Sequence, residues 1–306
     1  MTNFADNFAV SERVATALAE NRPVVALEST IITHGLPHPD NVRAALEFEQ
    51  ELEAAGAVPA TIALLDGKIV VGAGLDQLER LAATDSALKL SARDIPVAVA
   101  RKASGGTTVA ATSMIAAHAG IRVFATGGIG GVHRGASQTF DESGDLTTLA
   151  NCRITVVSAG VKSILDIRAT LERLETLGVT VLVHGSDQFP AFWLADSGIQ
   201  AGFQIQNGAE VAEIMRASDA IGRAGGILVA NPIAAAKQLD RATHDQVLAS
   251  ALAAAETEQI TGKDTTPFLL DYIHSHTGGT SVEVNLELVR NNCRLAAEIA
   301  CAFSGS

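Results

Sequence analysis

Aromatic residues are scarce in this sequence: they make up 4% of its 306 residues, with one Trp and one Tyr. Cysteine is also rare, because the chain has only Cys152, Cys293 and Cys301 and no CxxC pair. An odd number of cysteines without paired spacing argues against a disulfide framework and is typical of a reducing compartment. We therefore expect a cytoplasmic protein.

Positive charge is lacking as well. The sequence has 22 Lys and Arg against 34 Asp and Glu, which gives a net charge of −12 at pH 7. Such a chain has no general attraction for nucleic-acid phosphates or anionic lipid, so we expect neither as a partner. An anionic small molecule would have to be held by a local cluster of donors.

Long apolar runs and a basic N-terminus are also missing. The best candidate for a membrane span, residues 107–121, is rich in Ala and Thr and too short to cross a bilayer, so we interpret it as a buried helix. The first ten residues contain no Lys or Arg, which argues against a signal or transit peptide.

What the sequence does have is the α/β pattern, in which short β-branched runs alternate with longer Ala-, Leu- and Glu-rich segments. Predicted strands cover residues 23–27, 60–65, 68–71, 97–100, 122–125, 153–158, 179–183 and 226–230. Predicted helices cover residues 11–20, 41–55, 75–83, 107–119, 162–177, 209–221, 244–258, 267–276 and 281–302. The Asp66-Gly67 pair between two strands predicts a hairpin and therefore a mixed sheet.

No linker or repeat divides the chain, so we expect a single domain over residues 1–306. Segment 187–207, which holds the only Trp, lacks clear periodicity and could be a lid or an interface loop.

A glycine-rich loop, residues 126–135, directly follows a predicted strand. Its glycines would let backbone N–H groups approach an anion or a sugar closely. The loop is no dinucleotide fingerprint, because the GxGxxG pattern fails at His133, and the chain has no Walker A motif. The alternative is a tight turn, but His133 and Arg134 at the loop's exit favour a functional site.

Lys162 follows another predicted strand and opens a predicted helix, at the strand end where α/β proteins bind ligands. The positive end of a helix makes a lysine release its proton more readily, and a neutral lysine is a Schiff-base nucleophile. A phosphate-binding or merely solvent-exposed lysine is the alternative.

Two carboxylates stand out by position. Glu28 ends the first predicted strand among apolar residues and is a candidate acid/base, or else a cap of the next helix. Asp141 and Asp145 cluster in one loop, where hard oxygens suggest a Mg²⁺- or Mn²⁺-type site, although a solvated acidic loop is the alternative.

The stretch 104–109 leads from a loop into a helix, so Thr108 and the N–H groups near Val109 form a candidate anion site, with ordinary capping as the alternative. Lys89 would supply a positive charge to the same anion, unless it is an ordinary surface lysine.

Five motifs together resemble one family. They are ALESTIITHG (26–35), GTTVAAT (106–112), FATGGIGGVHRG (124–135), SAGVKSILD (158–166) and GKDTTPFLL (262–270). In this order, over nearly the whole chain, they resemble the pseudouridine-5′-phosphate glycosidases, also called the indigoidine-synthase-A-like family. The resemblance implies a three-layer α/β/α fold with a mixed, mainly parallel central sheet, and a homotrimer.

The resemblance also implies an enzyme of nucleotide catabolism, which reversibly converts pseudouridine 5′-phosphate and water to uracil and ribose 5-phosphate. It implies that Lys162 forms a Schiff base at the sugar C1′ and that Glu28 serves ring opening and proton transfer. It implies a divalent ion, typically Mn²⁺, at Asp145.

The family match assigns the remaining site residues to the substrate. Lys89, Thr108 and Ser143 match phosphate ligands, and we place Val109 in the same substrate site. His133 and Asn285 match residues that line the sugar and base pocket. The rival hypotheses are another Schiff-base lyase or C-glycoside synthase that uses ribose 5-phosphate, and a non-catalytic sugar-phosphate-binding protein.

Overall fold

The structure is a computed structural model that describes residues 7–260 and 265–305. The first part of the predicted motif at 262–270 therefore lies outside the described residues. Its strands are β1 (Phe8–Val10), β2 (Val24–Leu27), β3 (Val58–Leu65), β4 (Lys68–Val71), β5 (Leu88–Leu90), β6 (Gly105–Thr107), β7 (Val123–Ala125), β8 (Thr155–Ser158), β9 (Thr180–His184), β10 (Phe203–Ile205) and β11 (Ile227–Ala230).

The α-helices alternate with these strands along most of the chain. They are α1 (Glu12–Ala19), α2 (Asp40–Ala54), α3 (Leu75–Ala82), α4 (Ile95–Ala100), α5 (Val109–His118), α6 (Ala136–Thr139), α7 (Gly144–Asn151), α8 (Ile167–Thr176), α9 (Gly208–Ala220), α10 (Arg241–Thr257), α11 (Thr265–His276) and α12 (Thr280–Ser304). A π-helical turn over Ile31–Gly35 lies between β2 and α2.

The strands form one mixed sheet in the order β1-β4-β3-β2-β7-β8-β11-β9-β10, with β6 joined to β3 and β5 joined to β6. Every neighbouring pair is parallel except β3–β4 and β3–β6. The predicted mixed, mainly parallel sheet is therefore confirmed. The predicted hairpin is confirmed too, since Leu65 pairs with Lys68 and both turn residues, Asp66 and Gly67, have positive φ.

Helices cover both faces of the sheet, which makes the fold a three-layer α/β/α sandwich. Successive residues of a strand point to opposite faces, and in β2 Ala26 belongs to one apolar core while Val25 and Leu27 belong to another. The first core includes residues of α1, α5, α8, α10 and α11, and the second includes residues of α2 and α9. The central strands are apolar on both sides because neither face meets water.

Two predicted elements were wrong. Residues 97–100 form the end of α4 rather than a strand, because Pro96 sits in the helix's first turn and Ile95, Ala98 and Val99 are buried at helical spacing. The helix predicted over 162–177 begins only at Ile167, the first residue of α8.

No helix among residues 7–260 and 265–305 is long and apolar enough to cross a membrane. The assignment of residues 1–306 to one domain stays a prediction.

A half-buried carboxylate between α2 and β3 predicts a pH-dependent stability. Thr61 Oγ1 donates to Glu49 Oε1 at 2.5 Å. Burial raises the pKa of Glu49, and the charge of Glu53 adds to this, against the opposing effects of the Thr61 hydrogen bond and Arg13. Ionisation of Glu49 therefore costs free energy in the folded state, so its favourable contribution is complete at low pH and is lost as the pH rises through the folded pKa.

We expect Glu49→Gln to raise the unfolding temperature at pH 7.5 and to have a much smaller effect below about pH 4, where the unfolded glutamate is itself protonated. Thermal unfolding at both pH values measures this. Glu79→Gln, an exposed position on α3, is the control and should show no such difference. A gain for Glu49→Gln that is equal at both pH values would contradict the prediction.

Candidate active site

Two of the predicted site residues and the glycine-rich loop follow the carboxyl ends of neighbouring parallel strands. Glu28 comes directly after β2, the glycine-rich loop begins at Thr126 directly after β7, and Lys162 lies four residues after β8. Since β2, β7 and β8 are adjacent in the sheet, their ends open onto one edge, where α/β proteins bind ligands.

Glu28 is half-buried and is held by the residue at the end of the next strand. Thr126, which is 2% exposed, donates a hydrogen bond from Oγ1 to Glu28 Oε1. Sequence reasoning treated Thr126 only as the first residue of the glycine loop and missed this contact. A hydroxyl that donates to a carboxylate fixes the orientation of the carboxylate.

The segment after Glu28 is held against β6 by hydroxyl groups. Ser29 Oγ accepts the Thr107 N–H at 3.0 Å, and Thr30 Oγ1 donates to the Thr107 carbonyl at 2.7 Å. The π-helical turn then carries Thr33 over Gly106, where a Cβ atom would lie 2.4 Å from Thr33 Oγ1. No helix was predicted over these residues, since the predicted helix begins only at Asn41. π-Helical turns are rare and often occur at functional sites.

Lys89 reaches this edge from β5, where it pairs in register with Gly106 of β6. The side chain is open to solvent, but the protein around it removes enough water to lower its pKa, and the positive charge of Lys162 lowers it further. The negative charges of Glu28 and Asp145 act in the opposite direction. Lys89 therefore lies within electrostatic range of all three residues, which the sequence separates widely.

Thr108 and Val109 stand where β6 passes into α5. Thr108 is the N-cap residue, yet its hydroxyl makes no capping bond, and Oγ1 is buried without a hydrogen-bond partner among the described residues. Ordinary capping, the alternative to a ligand role, is therefore wrong for this hydroxyl. A buried hydroxyl without a partner is costly, and a bound phosphate oxygen would satisfy it.

Asp145 is almost fully buried, at 6% exposed, and both of its oxygens accept backbone N–H groups. Ala110 of α5 donates to Oδ1 at 2.9 Å, and Gly130 of the glycine loop donates to Oδ2 at 2.8 Å. This carboxylate thus ties the loop to the start of α5, and it is not the solvated carboxylate that the alternative interpretation required.

Ser143 caps α7 and packs against the same loop. Its Oγ accepts the Asp145 N–H at 3.2 Å, and a Cβ atom on Gly130 would lie 2.3 Å from this oxygen. Gly130 is therefore needed for close approach. Ser91, two residues after Lys89, also lies beside α7, 3.1 Å from the Cβ position of Gly144. Lys89 and Ser143 consequently belong to one neighbourhood.

The exit of the glycine loop makes two kinds of contact. His133 Nδ1 lies 3.8 Å from Asp141 Oδ2, and the His133 side chain is 17% exposed. Arg134 donates instead to the carbonyls of Ser163 and Ile164, at 3.4 and 3.3 Å. Arg134 therefore joins the glycine loop to the segment that carries Lys162.

Lys162 is half-buried and lies in a loop, not at the start of a helix. Its N–H donates to the Ile129 carbonyl at 3.1 Å. The helix α8 begins five residues later, because Asp166 is its N-cap and accepts the Ala169 N–H at 3.0 Å. The expectation that a helix N-terminus acts on Lys162 was therefore wrong.

Asn285 of α12 and an aromatic side chain flank the start of the glycine loop. Asn285 Oδ1 lies 3.4 Å from the Cβ position of Gly127, and the Phe192 ring lies 2.6 Å from that of Gly128. Phe192 and Trp193 are both 2% exposed. This part of segment 187–207 is thus core packing behind the site rather than a lid.

Comparison with known proteins agrees with this architecture. The family model described as indigoidine synthase A like protein matches residues 13–302. A pseudouridine-5′-phosphate glycosidase from Saccharopolyspora erythraea is 54% identical over 296 residues, which covers 97% of this chain and 98% of that protein. One from Salinispora tropica is 55% identical over 290 residues, covering 94% and 90%.

Two solved structures share the fold. A prealnumycin C-glycosynthase in complex with ribulose 5-phosphate has a TM-score of 0.91 at 40% identity and covers 97% of each chain. An indigoidine synthase A-like protein from Thermotoga maritima has a TM-score of 0.87 at 32% identity, covering 97% of this chain and 96% of the other. Since these matches span nearly the whole chain, the protein belongs to the indigoidine synthase A like family.

Proposed function

We propose that this enzyme reversibly cleaves pseudouridine 5′-phosphate with water to uracil and ribose 5-phosphate, as a step of nucleotide catabolism. The relatives that are 54 and 55% identical to it bear the name of this activity. The observation that carries the proposal is that Glu28, Lys162 and Lys89 lie at one sheet edge. Glu28 and Lys162 follow strands of the same sheet, and the charges of both act on Lys89. A nucleophile, an acid/base and a cation for phosphate are the groups that the reaction requires.

The bond to be broken joins the ribose C1′ to C5 of uracil, so protonation of a leaving heteroatom, as in ordinary glycosidases, is not available. Opening of the sugar ring breaks the C1′–O4′ bond, and the Lys162 amine bonds to C1′ in place of that oxygen. When the C1′–C5 bond then breaks, its electron pair leaves with uracil, and the nitrogen lone pair converts the C1′–N bond to an imine. Glu28, oriented by Thr126, transfers protons for ring opening and to the departing base. Water then releases ribose 5-phosphate and the free lysine.

The phosphate site of this proposal lies between β5, α5 and α7. Lys89 supplies the charge, the unpartnered Thr108 hydroxyl and the Val109 end of α5 supply donors, and Ser143 completes the set. His133 and Asn285, on the two sides of the glycine loop, contact the sugar and the base. This arrangement holds an anion in a protein of net charge −12 by placing its donors locally.

Asp145 could hold a divalent cation, Mn²⁺ or a similar hard ion, and we propose it as that site. Each of its oxygens already accepts one N–H, and residues 7–260 and 265–305 contain no group of three or more His, Cys, Asp and Glu that could bind a metal. Asp145 would therefore be the sole carboxylate ligand or act through water, with water and the substrate phosphate completing the shell. Such an ion would add positive charge beside the phosphate.

We expect a chelator to abolish turnover and Mn²⁺ to restore it. Asp145→Asn should lose Mn²⁺ binding, measured by electron paramagnetic resonance, while Asp141→Asn on the same loop should keep it. The Asp141 side chain is 36% exposed. Asp145, in contrast, accepts N–H groups from both α5 and the glycine loop. Retained binding in Asp145→Asn together with loss in Asp141→Asn would contradict the assignment and move the ion to Asp141.

Incubation with pseudouridine 5′-phosphate and quantification of uracil and ribose 5-phosphate test the proposed function. The second candidate is C-glycoside synthesis with another acceptor, which the 40% identity to the prealnumycin C-glycosynthase favours. Turnover with uracil as the joining partner in the reverse direction, compared with a panel of other heterocycles and aromatic acceptors, separates the two. If the protein binds ribose 5-phosphate but turns over no acceptor, the result would support the rival hypothesis of a non-catalytic sugar-phosphate-binding protein.

We also propose that the enzyme is a homotrimer that works in the cytoplasm. The family resemblance supports the trimer, and the three unpaired cysteines support a reducing compartment. Light scattering after size-exclusion chromatography measures the oligomeric state, and a mass other than that of three chains would contradict it.

A further inference from the structure

We propose that Asn292 is a positioning residue for Glu28, which it reaches through Thr126 as the last member of a buried amide chain that includes Asn231 and His184. The inference rests on the proposed function, in which Glu28 transfers protons. None of these three residues lies in the five motifs given above for the family resemblance.

Asn292 lies on α12 and is fully buried, at 0% exposed. Its Nδ2 donates to the Thr126 carbonyl at 2.7 Å and is 3.5 Å from the Gly127 carbonyl. Thr126 is the residue whose hydroxyl donates to Glu28. Asn292 therefore holds the backbone of a residue that orients the proposed acid/base.

The other end of the Asn292 amide is also occupied. Its Oδ1 accepts from Asn231 Nδ2 at 3.0 Å, and Asn231, just beyond β11, is 3% exposed. The Asn231 N–H donates to the Ser158 carbonyl at 2.7 Å, at the end of β8 and four residues before Lys162. Asn292 thus contacts Thr126 after β7, and Asn231 contacts the end of β8, which leads to Lys162.

The direction of every hydrogen bond in the chain is determined. Because Asn292 Nδ2 points at a carbonyl, its Oδ1 must face Asn231 Nδ2, and this leaves Asn231 Oδ1 to accept from His184 Nδ1, 2.9 Å away. His184 therefore carries a hydrogen on Nδ1. A rotated amide at any link would set two donors or two acceptors against each other.

A purely structural role does not account well for this choice of residues. An amide buried in the interior of a helix loses its hydration and has modest helix propensity, so an apolar residue would stabilise α12 more simply. The amide is useful if the Thr126 carbonyl must be held at one position. In that case the hydroxyl of Thr126 stays aimed at Glu28, and a small misplacement of such a group can cost about 100-fold in rate.

The test is a double-mutant cycle with pseudouridine 5′-phosphate as substrate. We expect Asn292→Ala to lower kcat about 30- to 100-fold and to change KM little, because the phosphate donors lie on β5, α5 and α7. Thr126→Val should lower kcat similarly, and Thr126→Ser, which keeps the hydroxyl, should restore most of it. In the Thr126→Val background, Asn292→Ala should cause little further loss of kcat, since its target is already gone.

Asn291→Ala is the matched control, because Asn291 is the neighbour on α12 and its side chain, among the described residues, donates to the Pro232 carbonyl at 3.3 Å. Asn291 contacts the amide chain through its backbone carbonyl, which accepts from Asn231 Nδ2 at 3.3 Å and which the substitution keeps. It should keep kcat within about twofold, as expected of a change outside such a chain. If Asn292→Ala does not fold, Asn231→Ala tests the same coupling one link further away and should show a smaller loss of kcat.

The inference would be overturned if the losses of kcat caused by Asn292→Ala and Thr126→Val multiplied in the double variant. It would also be overturned if Asn292→Ala raised KM and left kcat unchanged. Failure of the proposed function is distinguishable, because in that case the wild-type enzyme itself would not release uracil.

Discussion

Replacement of Lys162 by Ala is expected to lower kcat for cleavage of pseudouridine 5′-phosphate by about 10⁴-fold or more, since loss of a covalent nucleophile removes the whole imine route. The physical reason lies in the bond itself. When the C1′–C5 bond breaks, its electron pair leaves with uracil, which is protonated at C5, and the sugar carbon becomes electron-deficient. The lone pair of the Lys162 nitrogen stabilises that carbon by forming the imine. Affinity for ribose 5-phosphate should fall much less, because its phosphate is held by other residues.

Reductive trapping identifies the nucleophile directly. Incubation with ribose 5-phosphate and borohydride should leave a covalent pentose-phosphate adduct on the peptide that contains Lys162, detected by mass spectrometry after digestion. The matched control is Lys89→Ala, which should raise KM but still be labelled at Lys162 when the sugar phosphate is saturating.

The structure makes this control informative, because the surrounding protein and the charge of Lys162 lower the pKa of Lys89. A depressed pKa is itself a property of Schiff-base lysines. An adduct on the peptide that contains Lys89, with Lys162→Ala still active, would therefore contradict the assignment and move the nucleophile to β5.

Replacement of Glu28 by Gln should lower kcat by about 10²- to 10⁴-fold, the usual contribution of a positioned acid/base. The amide can still accept the Thr126 hydrogen bond, so the site should keep its shape while losing its proton-transfer group. Because free ribose 5-phosphate opens its ring without help, we expect the variant to retain slow formation of the Lys162 adduct. The two steps would thus be separated.

Single-turnover release of uracil and borohydride trapping, measured on the same Glu28→Gln preparation, check this separation. Glu142→Gln is the control for loss of one negative charge near the glycine loop, since Glu142 pairs with Arg173 at 2.8 Å on the outer surface. It should behave like the wild type. Normal uracil release by Glu28→Gln would exclude Glu28 as the acid/base.

Much of the fold could be predicted because its signals are local. The strands β2, β4 and β8 and the helices α1, α2, α3 and α9 lie within a few residues of the predicted ones, since apolar periodicity and turn residues determine them. The short strands β5 and β6 were missed. Their Gly-rich and lysine-containing sequences have little strand propensity, and tertiary pairing is what makes them strands, since β6 pairs with β3 and β5 pairs with β6.

The missed start of α8 has a similar cause. The apolar residues Ile164 and Leu165 continue the helical spacing of α8, so the pattern predicts one helix from Lys162. In the structure both are buried in the apolar core although they lie in the loop, and Asp166 caps the helix. Periodicity alone does not distinguish a buried loop from a first helical turn.

The sequence by itself determined that Glu28 and Lys162 follow strands of an α/β sheet, because strand ends can be read from local pattern and parallel strands bring their carboxyl ends together. Only the tertiary structure decided what surrounds them. Thr126 contacts Glu28 from 98 residues away, and Asn292 contacts Thr126 from 166 residues away. These partners depend on how distant elements pack and on which buried polar groups must be satisfied, and no local propensity encodes either.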